Sequence, residues 1–216
     1  LPVSENSTDD MYAQLTAMIG TVKNGYLNTL LKKLFVEDQE FSKSFEEHSA
    51  AKTVHHGFMG GLMEHTLSVA RLCDYMAGAY PVIKRDLLIT AALLHDVGKT
   101  RELSSFPMND YTDEGQLLGH IIIGAQMIHD LAKEIPDFPQ DLENQLVHCI
   151  LAHHGELEYG SPKKPAMVEA VALNLADNTD ARMETLTEIF AADKSKKEWL
   201  GYNRLFESNL RKTGEW

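Results

Sequence analysis

The stretch Leu93-Leu94-His95-Asp96-Val97-Gly98-Lys99 decides how this chain is read. It closes an apolar run (Leu87, Leu88, Ala91, Leu94) whose spacing is that of one helix face. His95 falls on that face in the last turn, Asp96 follows at once, and Gly98 is expected to stop the helix. Two ligand-type side chains thus leave a helix end together, where both can point into one cavity. A His beside an Asp is common and means little alone. Here it gains meaning because His65, His120, the doublet His153-His154 and Asp177 recur in similar settings.

Upstream, Gly60-Gly61 gives way to a helix carrying Leu62, His65, Val69, Leu72, Cys73 and Met76, with His65 on the apolar stripe. Downstream, a helix from near Gly115 carries Leu117, Leu118, His120, Ile121, Ala125 and Ile128. The next, over Leu142, Leu146, Ile150 and Leu151, ends in His153-His154-Gly155, and a long one after Pro165 carries Val168, Val171, Ala172, Leu175, Asp177 and Asp180. Residues 100–114 read as a loop. Toward the N-terminus, Met11, Leu15, Met18, Ile19 and Val22 space a helix that Thr8 or Asp9 could cap. Leu27 to Phe35 gives a second, and Asp38 to Glu47, with Phe41 and Phe45 at i, i+4, a short third. No alternating strand pattern occurs, so the expected fold is all-α. Its expected divisions are a flexible end over 1–10, N-terminal helices over 11–54 packed on the core, a core domain over 55–193, and a basic tail over 194–216. The tail interleaves Lys194, Lys196, Lys197, Arg204, Arg211 and Lys212 with Trp199, Tyr202 and Phe206. It is expected to form an amphipathic terminal helix, or to grip a nucleic-acid strand.

The 216 residues suit one helical domain with a small extension, and 44% hydrophobic content can fill its core. Cys73 and Cys149 sit in apolar patterns and read as buried thiols of a reducing compartment. With no membrane-length apolar run and no signal core, a cytoplasmic protein that does not touch membranes is expected. The chain starts at Leu1, which suggests that it is cut from a longer protein. A net charge of −12 disfavours nucleic-acid binding through an even positive field. It leaves room for an enzyme that grips one strand end, because bound metals add positive charge locally.

Imidazole and carboxylate together suit Mn, Fe, Ni, Co or Zn, with Mg allowed. Five His and two Asp, namely His65, His95, Asp96, His120, His153, His154 and Asp177, are enough for one or two divalent ions. Two ions about 3.5–4 Å apart can clamp both oxygens of an in-line displacement at phosphorus. Asp96 is the natural bridge, because a carboxylate has two oxygens and a His cannot bridge. Lys99 could bind a phosphate oxygen, so Asp96 and Lys99 are the catalytic candidates. Asp177 lies on an otherwise apolar helix face and needs something positive opposite it. The plainer alternative stays open for each residue: a lone His on an apolar face is usually a core histidine. His55 and His56 divide between a loop role and substrate contact, while His48, His129 and His148 read as surface or packing residues. Further substrate contacts are expected from Arg101, Tyr111 and Asp180 beside Lys99 and His56.

The order His65, His95-Asp96, Asp177 resembles the H…HD…D signature of the HD-domain metal-dependent phosphohydrolases, over roughly residues 55–185. The resemblance implies an HD-domain helical bundle with extra N-terminal helices and a tail helix. It also implies a first metal on His65, His95, Asp96 and Asp177, and a second on His120, His153 and His154 with Asp96 bridging. The GYP motif of the cyclic-di-nucleotide phosphodiesterases in that superfamily is absent, which argues against a cyclic-di-GMP substrate. Several segments are similar to the bacterial YhaM-type 3′–5′ exoribonucleases. They are Tyr111 to Ile121, His153 to Pro162, Ala50-Ala51 ahead of His55-His56, and Asp177-Asn178-Thr179-Asp180-Ala181. That family carries an OB-fold nucleic-acid-binding domain ahead of the HD domain, so an upstream domain is expected to be missing here.

The leading expectation is a hydrolase that removes nucleotides from a single-stranded RNA or DNA 3′ end using a metal-activated hydroxide. One alternative is a phosphohydrolase of nucleotides or cyclic nucleotides. Another is a non-catalytic nucleotide-sensing or partner-binding module. A homo-oligomer is compatible with all three.

Overall fold

Residues Leu87 to Leu94 are buried without interruption. A helix that hides every face must be surrounded, and this one, α5 (Arg85–Leu94), is the axis of the bundle. In the computed structural model, which describes residues 6–52, 58–105 and 107–216, it packs against α4 (Gly61–Ala79), α8 (Gln140–Leu151) and α9 (Val168–Ala192). The short α6 (Lys99–Glu102) follows α5 after a tight turn and packs on α7 (Asp113–Lys133), which in turn packs on α8. The expected metal ligands lie on α4, at the end of α5, on α7, at the end of α8 and on α9.

Three helices precede this bundle: α1 (Thr8–Gly20), α2 (Gly25–Lys32) and α3 (Gln39–Glu47). Their apolar stripes are buried at Met11, Leu15 and Ile19, at Leu27, Leu30 and Leu31, and at Phe45. Phe35 and Phe45 meet edge-on with centroids 5.1 Å apart, and the Tyr12 hydroxyl donates to the Phe35 carbonyl at 2.9 Å. One contiguous cluster of buried apolar side chains runs from Met11 to Ala176. The N-terminal helices therefore share a core with the bundle.

Side-chain caps set the starts of α1, α2, α3 and α7. Asn24 accepts from Leu27 N, Asp38 from Phe41 N at 2.9 Å and Thr112 from Gly115 N at 2.9 Å. At α1 the cap is Ser7, so helix begins at Thr8, inside the stretch expected to be a flexible end. Among the described residues, no helix is long and apolar enough to cross a membrane.

Two local expectations are corrected. The 100–114 segment contains α6 and a Leu103–Tyr111 bridge, so only part of it is loop. The tail forms an antiparallel hairpin, β1 (Trp199–Asn203) with β2 (Ser208–Arg211), instead of a helix. Gly201 takes φ +102°, which a helix does not allow. The Asn203 side chain accepts from Leu205 N and Phe206 N and so closes the turn, while Arg211 stacks 5.8 Å from the Trp199 centroid. His55 and His56 lie outside the described residues.

Candidate metal centre

Asp96 is buried at the end of α5, and its two carboxylate oxygens face different partners. Oδ2 lies 3.3 Å from His95 Nε2 and 3.5 Å from His65 Nε2. Oδ1 lies 3.4 Å from His120 Nε2 and 3.5 Å from His153 Nε2. Asp177 completes the first set, with Oδ1 2.9 Å from His65 Nε2 and 3.6 Å from His95 Nε2. His154 completes the second, its ring 4.5 Å from that of His153 and 5.3 Å from that of His120, centroid to centroid. The two groups able to hold an ion are thus His65, His95 and Asp177, and His120, His153 and His154, with Asp96 between them.

All five imidazoles point the same nitrogen inward, because each Nδ1 has its own oxygen. His95 Nδ1 donates to the Ala92 carbonyl at 2.6 Å, His153 Nδ1 to the Ile150 carbonyl at 2.7 Å, and His154 Nδ1 to the Tyr159 carbonyl at 2.9 Å. A carbonyl only accepts, so these three rings carry their proton on Nδ1 and, when neutral, present the Nε2 lone pair. His65 Nδ1 faces Asp180 Oδ2 at 2.7 Å, and His120 Nδ1 faces Glu102 Oε1 at 3.1 Å. Such carboxylate–imidazole pairs orient metal-binding rings and raise their basicity.

Backbone close approach brings the second set to Asp96. A Cβ on Gly98 would sit 2.0 Å from the His120 carbonyl oxygen, so only glycine lets α7 cross here. Gly98 keeps a right-handed φ of −62°, so its task is this crossing and not the helix stop expected of it. One residue before His120, Gly119 kinks α7 at φ +75°. The kink frees the His120 N–H, which donates to Glu102 Oε1 at 3.0 Å. A single carboxylate therefore fixes both backbone and ring of His120. On the other side, the Asn174 amide donates to the His153 carbonyl at 2.9 Å and holds the doublet against α9.

The charge pattern follows from burial against ionic neighbours. Burial disfavours charge on His95, yet Asp96 and Asp177 beside it override this and push its pKa up to about 10. Both carboxyls are driven well below the usual range against the burial that opposes them, chiefly by His95 and Lys99 for Asp96, and by His65 and His95 for Asp177. His153 and His154 go the other way, since burial lowers both and leaves neutral imidazoles.

This donor set fits divalent metal. Asp96 Oδ1, His120 Nε2 and His153 Nε2 are buried and have no hydrogen-bond partner, a costly arrangement for three converging atoms unless a cation binds them. His65 Nε2 and His95 Nε2 face each other at 3.3 Å although both rings have an oxygen at Nδ1, so a proton or a metal must lie between. Bonds of roughly 2.1 Å place neighbouring ligand atoms about 3.0–3.4 Å apart in octahedral or tetrahedral sites. The separations above cluster around that range.

The other expected site residues divide. Lys99 Nζ lies 3.0 Å from Asp96 Oδ2 and donates to the Ala50 carbonyl at 2.7 Å, with its side chain lining the small cavity next to His65 and Asp177. Asp180 stands behind His65, with Oδ2 2.7 Å from its Nδ1. Arg101 pairs with Glu114 on the outer side of α6, and Tyr111 lies under Lys52 with its ring 5.6 Å from Nζ. Neither reaches the cage. His56 lies outside the described residues. Sequence reading passed over Glu102, three residues beyond Lys99, and also Asn109, which ties down the Ala51 and Lys52 carbonyls beside the Lys99 contact. His48, read as a packing residue, is buried with Nε2 on the Leu103 carbonyl.

Comparison with known proteins places the chain in a family. The HD domain family matches residues 62–182. The 3′-5′ exoribonuclease YhaM of Bacillus velezensis is 38% identical over 184 residues, 84% of this chain and 56% of its own length. That of Bacillus subtilis is 37% identical over 187 residues (86% and 57%), and that of Halalkalibacterium halodurans 38% over 180 residues (83% and 55%). The chain spans about half the length of the curated relatives it matches. No solved structure matches it. Every member of the His/Asp cage lies inside the matched stretch, and this chain belongs to the HD domain family.

Proposed function

We propose that the chain is a metal-dependent phosphodiesterase that releases nucleotides from the 3′ end of single-stranded RNA. The observation that carries this is Asp96, whose two buried oxygens each face a separate set of imidazole nitrogens. His65, His95, Asp96 and Asp177 would hold one ion, and His120, His153, His154 and Asp96 the other. When bound, such a pair lowers the pKa of water and stabilises charge on phosphoryl oxygens.

The chain's own residues set the stage for that chemistry. Lys99 keeps Asp96 ionised and spends two N–H groups on Asp96 and Ala50. Its third N–H is available to a non-bridging phosphate oxygen, where it offsets charge that grows in the transition state. The Nδ1 acceptors keep all five rings in place, so little reorganisation is needed when substrate arrives. The direction of attack and the RNA substrate are supported by the printed name of the relatives, 3′-5′ exoribonuclease.

The test uses 5′-labelled single-stranded RNA with Mn²⁺. A ladder that shortens one nucleotide at a time from the 3′ end is expected. Internal cuts, or hydrolysis of mononucleotides with RNA left intact, would replace this proposal with an endonuclease or a small-molecule phosphohydrolase.

A further inference from the structure

A cleft of about 640 Å³ opens from His153, His154 and Asp177 toward the C-terminal hairpin. Beyond the cage its walls include Tyr159, Asn178, Arg182 and Leu205. This is room for more than a single phosphate group. Arg182 follows Asp177 by five residues on α9, about 7.5 Å along the helix axis. The phosphodiester repeat of an extended strand can cover that span.

Three of the chain's six arginines pair with a carboxylate. Arg85, Arg101 and Arg211 hold Asp74, Glu114 and Glu198 respectively. Arg182 holds no carboxylate among the described residues, although the chain has 32 acidic residues against 20 basic ones. Its guanidinium instead lies 5.0 Å from the centroid of Phe206, at the tip of the β1–β2 hairpin. The tip has a fixed shape, because Asn203 Oδ1 accepts from Leu205 N at 2.9 Å and Phe206 N at 3.3 Å. A ring under the guanidinium plane leaves its edge N–H groups for an anion, the geometry suited to phosphate. Leu205 and Tyr159, both lining the cleft, are 53% and 70% exposed and offer apolar surface to a base.

We propose that Arg182, held by Phe206 of the hairpin tip, binds the phosphate next to the scissile one in a single-stranded polynucleotide. Leu205 and Tyr159 flank the adjoining base. This rests on the exonuclease proposal above and adds the element that separates a strand from a mononucleotide. It also gives the hairpin a task in a domain too acidic to hold RNA by its overall field.

The test compares wild type with Arg182→Ala, Arg182→Lys and Phe206→Ala on two substrates under Mn²⁺: a 5′-fluorescein 12-mer of single-stranded RNA and bis(p-nitrophenyl) phosphate. The ratio of the two kcat/KM values is expected to fall about tenfold for Arg182→Ala, by less for Phe206→Ala, and to recover in part with Arg182→Lys. Binding is read separately by anisotropy under Mn²⁺, with a phosphorothioate 12-mer that resists hydrolysis, across a salt series. There the slope of log affinity against log salt should drop by about 0.7 in Arg182→Ala, as for one lost phosphate contact on a single strand. An unchanged slope, parallel losses on both substrates, or no wild-type binding at low salt would overturn the subsite. A wild type that binds RNA with an Arg182-dependent slope yet never shortens it would refute the exonuclease proposal and leave the subsite standing.

Discussion

Asp96 Oδ1 lies 3.5 Å from His153 Nε2, both atoms are buried, and neither has a hydrogen-bond partner. In a metal-free interior such a pair would cost free energy on both sides. A cation bound by both the carboxylate and the imidazole would remove that cost, and the neighbouring His120 Nε2 is in the same state.

Metal removal should destabilise the fold. The proposed ligands come from five helical segments, so ions would bind the folded state and not the unfolded chain. At a free metal concentration a hundred times Kd, each ion adds about 2.7 kcal/mol. For a chain of this size, stripping one ion should lower Tm by about 5–10 °C. Calorimetry with and without chelator reads this directly. An unchanged Tm would mean that the His/Asp cage does not bind metal.

Asp180→Ala and Glu102→Ala should act on different ions. Asp180 orients His65, while Glu102 holds the ring and backbone of His120. Loss of such an outer partner costs about 10- to 100-fold in metal affinity. Competition titrations should show one weakened site in each variant, with the other unchanged. Equal weakening of both sites by either variant would show that the two carboxylates do not act locally.

Lys99→Met should lower kcat by about 10²-fold while leaving KM for the RNA 12-mer within a few-fold, the signature of an interaction made mainly in the transition state. Steady-state kinetics checks it, with Tm as a control for the lost Ala50 contact. A variant with wild-type kcat would remove Lys99 from the chemistry.

Gly98→Ala should be poorly tolerated although its φ is ordinary. The added Cβ meets the His120 carbonyl at 2.0 Å and must push α7 away. Overpacking of this kind costs about 1–3 kcal/mol or more, or several degrees of Tm, and it should weaken the second ion through His120. Thermal melts and metal titration of the purified variant test both effects. A normal melt with normal metal binding would contradict the crossing described here.

Much of this site could be read in the sequence because its residues break an apolar rhythm. His65 sits in the stripe of α4, His95-Asp96 ends the fully buried α5, and Asp177 interrupts the buried face of α9. A helical period converts each spacing into a direction, and the directions converge. Glu102 was not legible, because its partner His120 is 18 residues away and reaches it only through the kink at Gly119. Asp180 carried a signal, three residues after Asp177 on one helix face, but nothing in the sequence says that it stands behind His65. The hairpin was hidden for another reason: its shape comes from Gly201 and the Asn203 turn, while its aromatic and basic residues fit an amphipathic helix equally well.

The central claim, that Asp96 joins two ions, is tested most directly by elemental analysis of metal content. Wild type, Asp96→Ala and His153→Ala/His154→Ala would be loaded with Mn²⁺ and desalted. The expected result is about two equivalents in wild type, about one in the double His variant, and none retained in Asp96→Ala. One equivalent in both wild type and the double variant, or two retained by Asp96→Ala, would contradict the account.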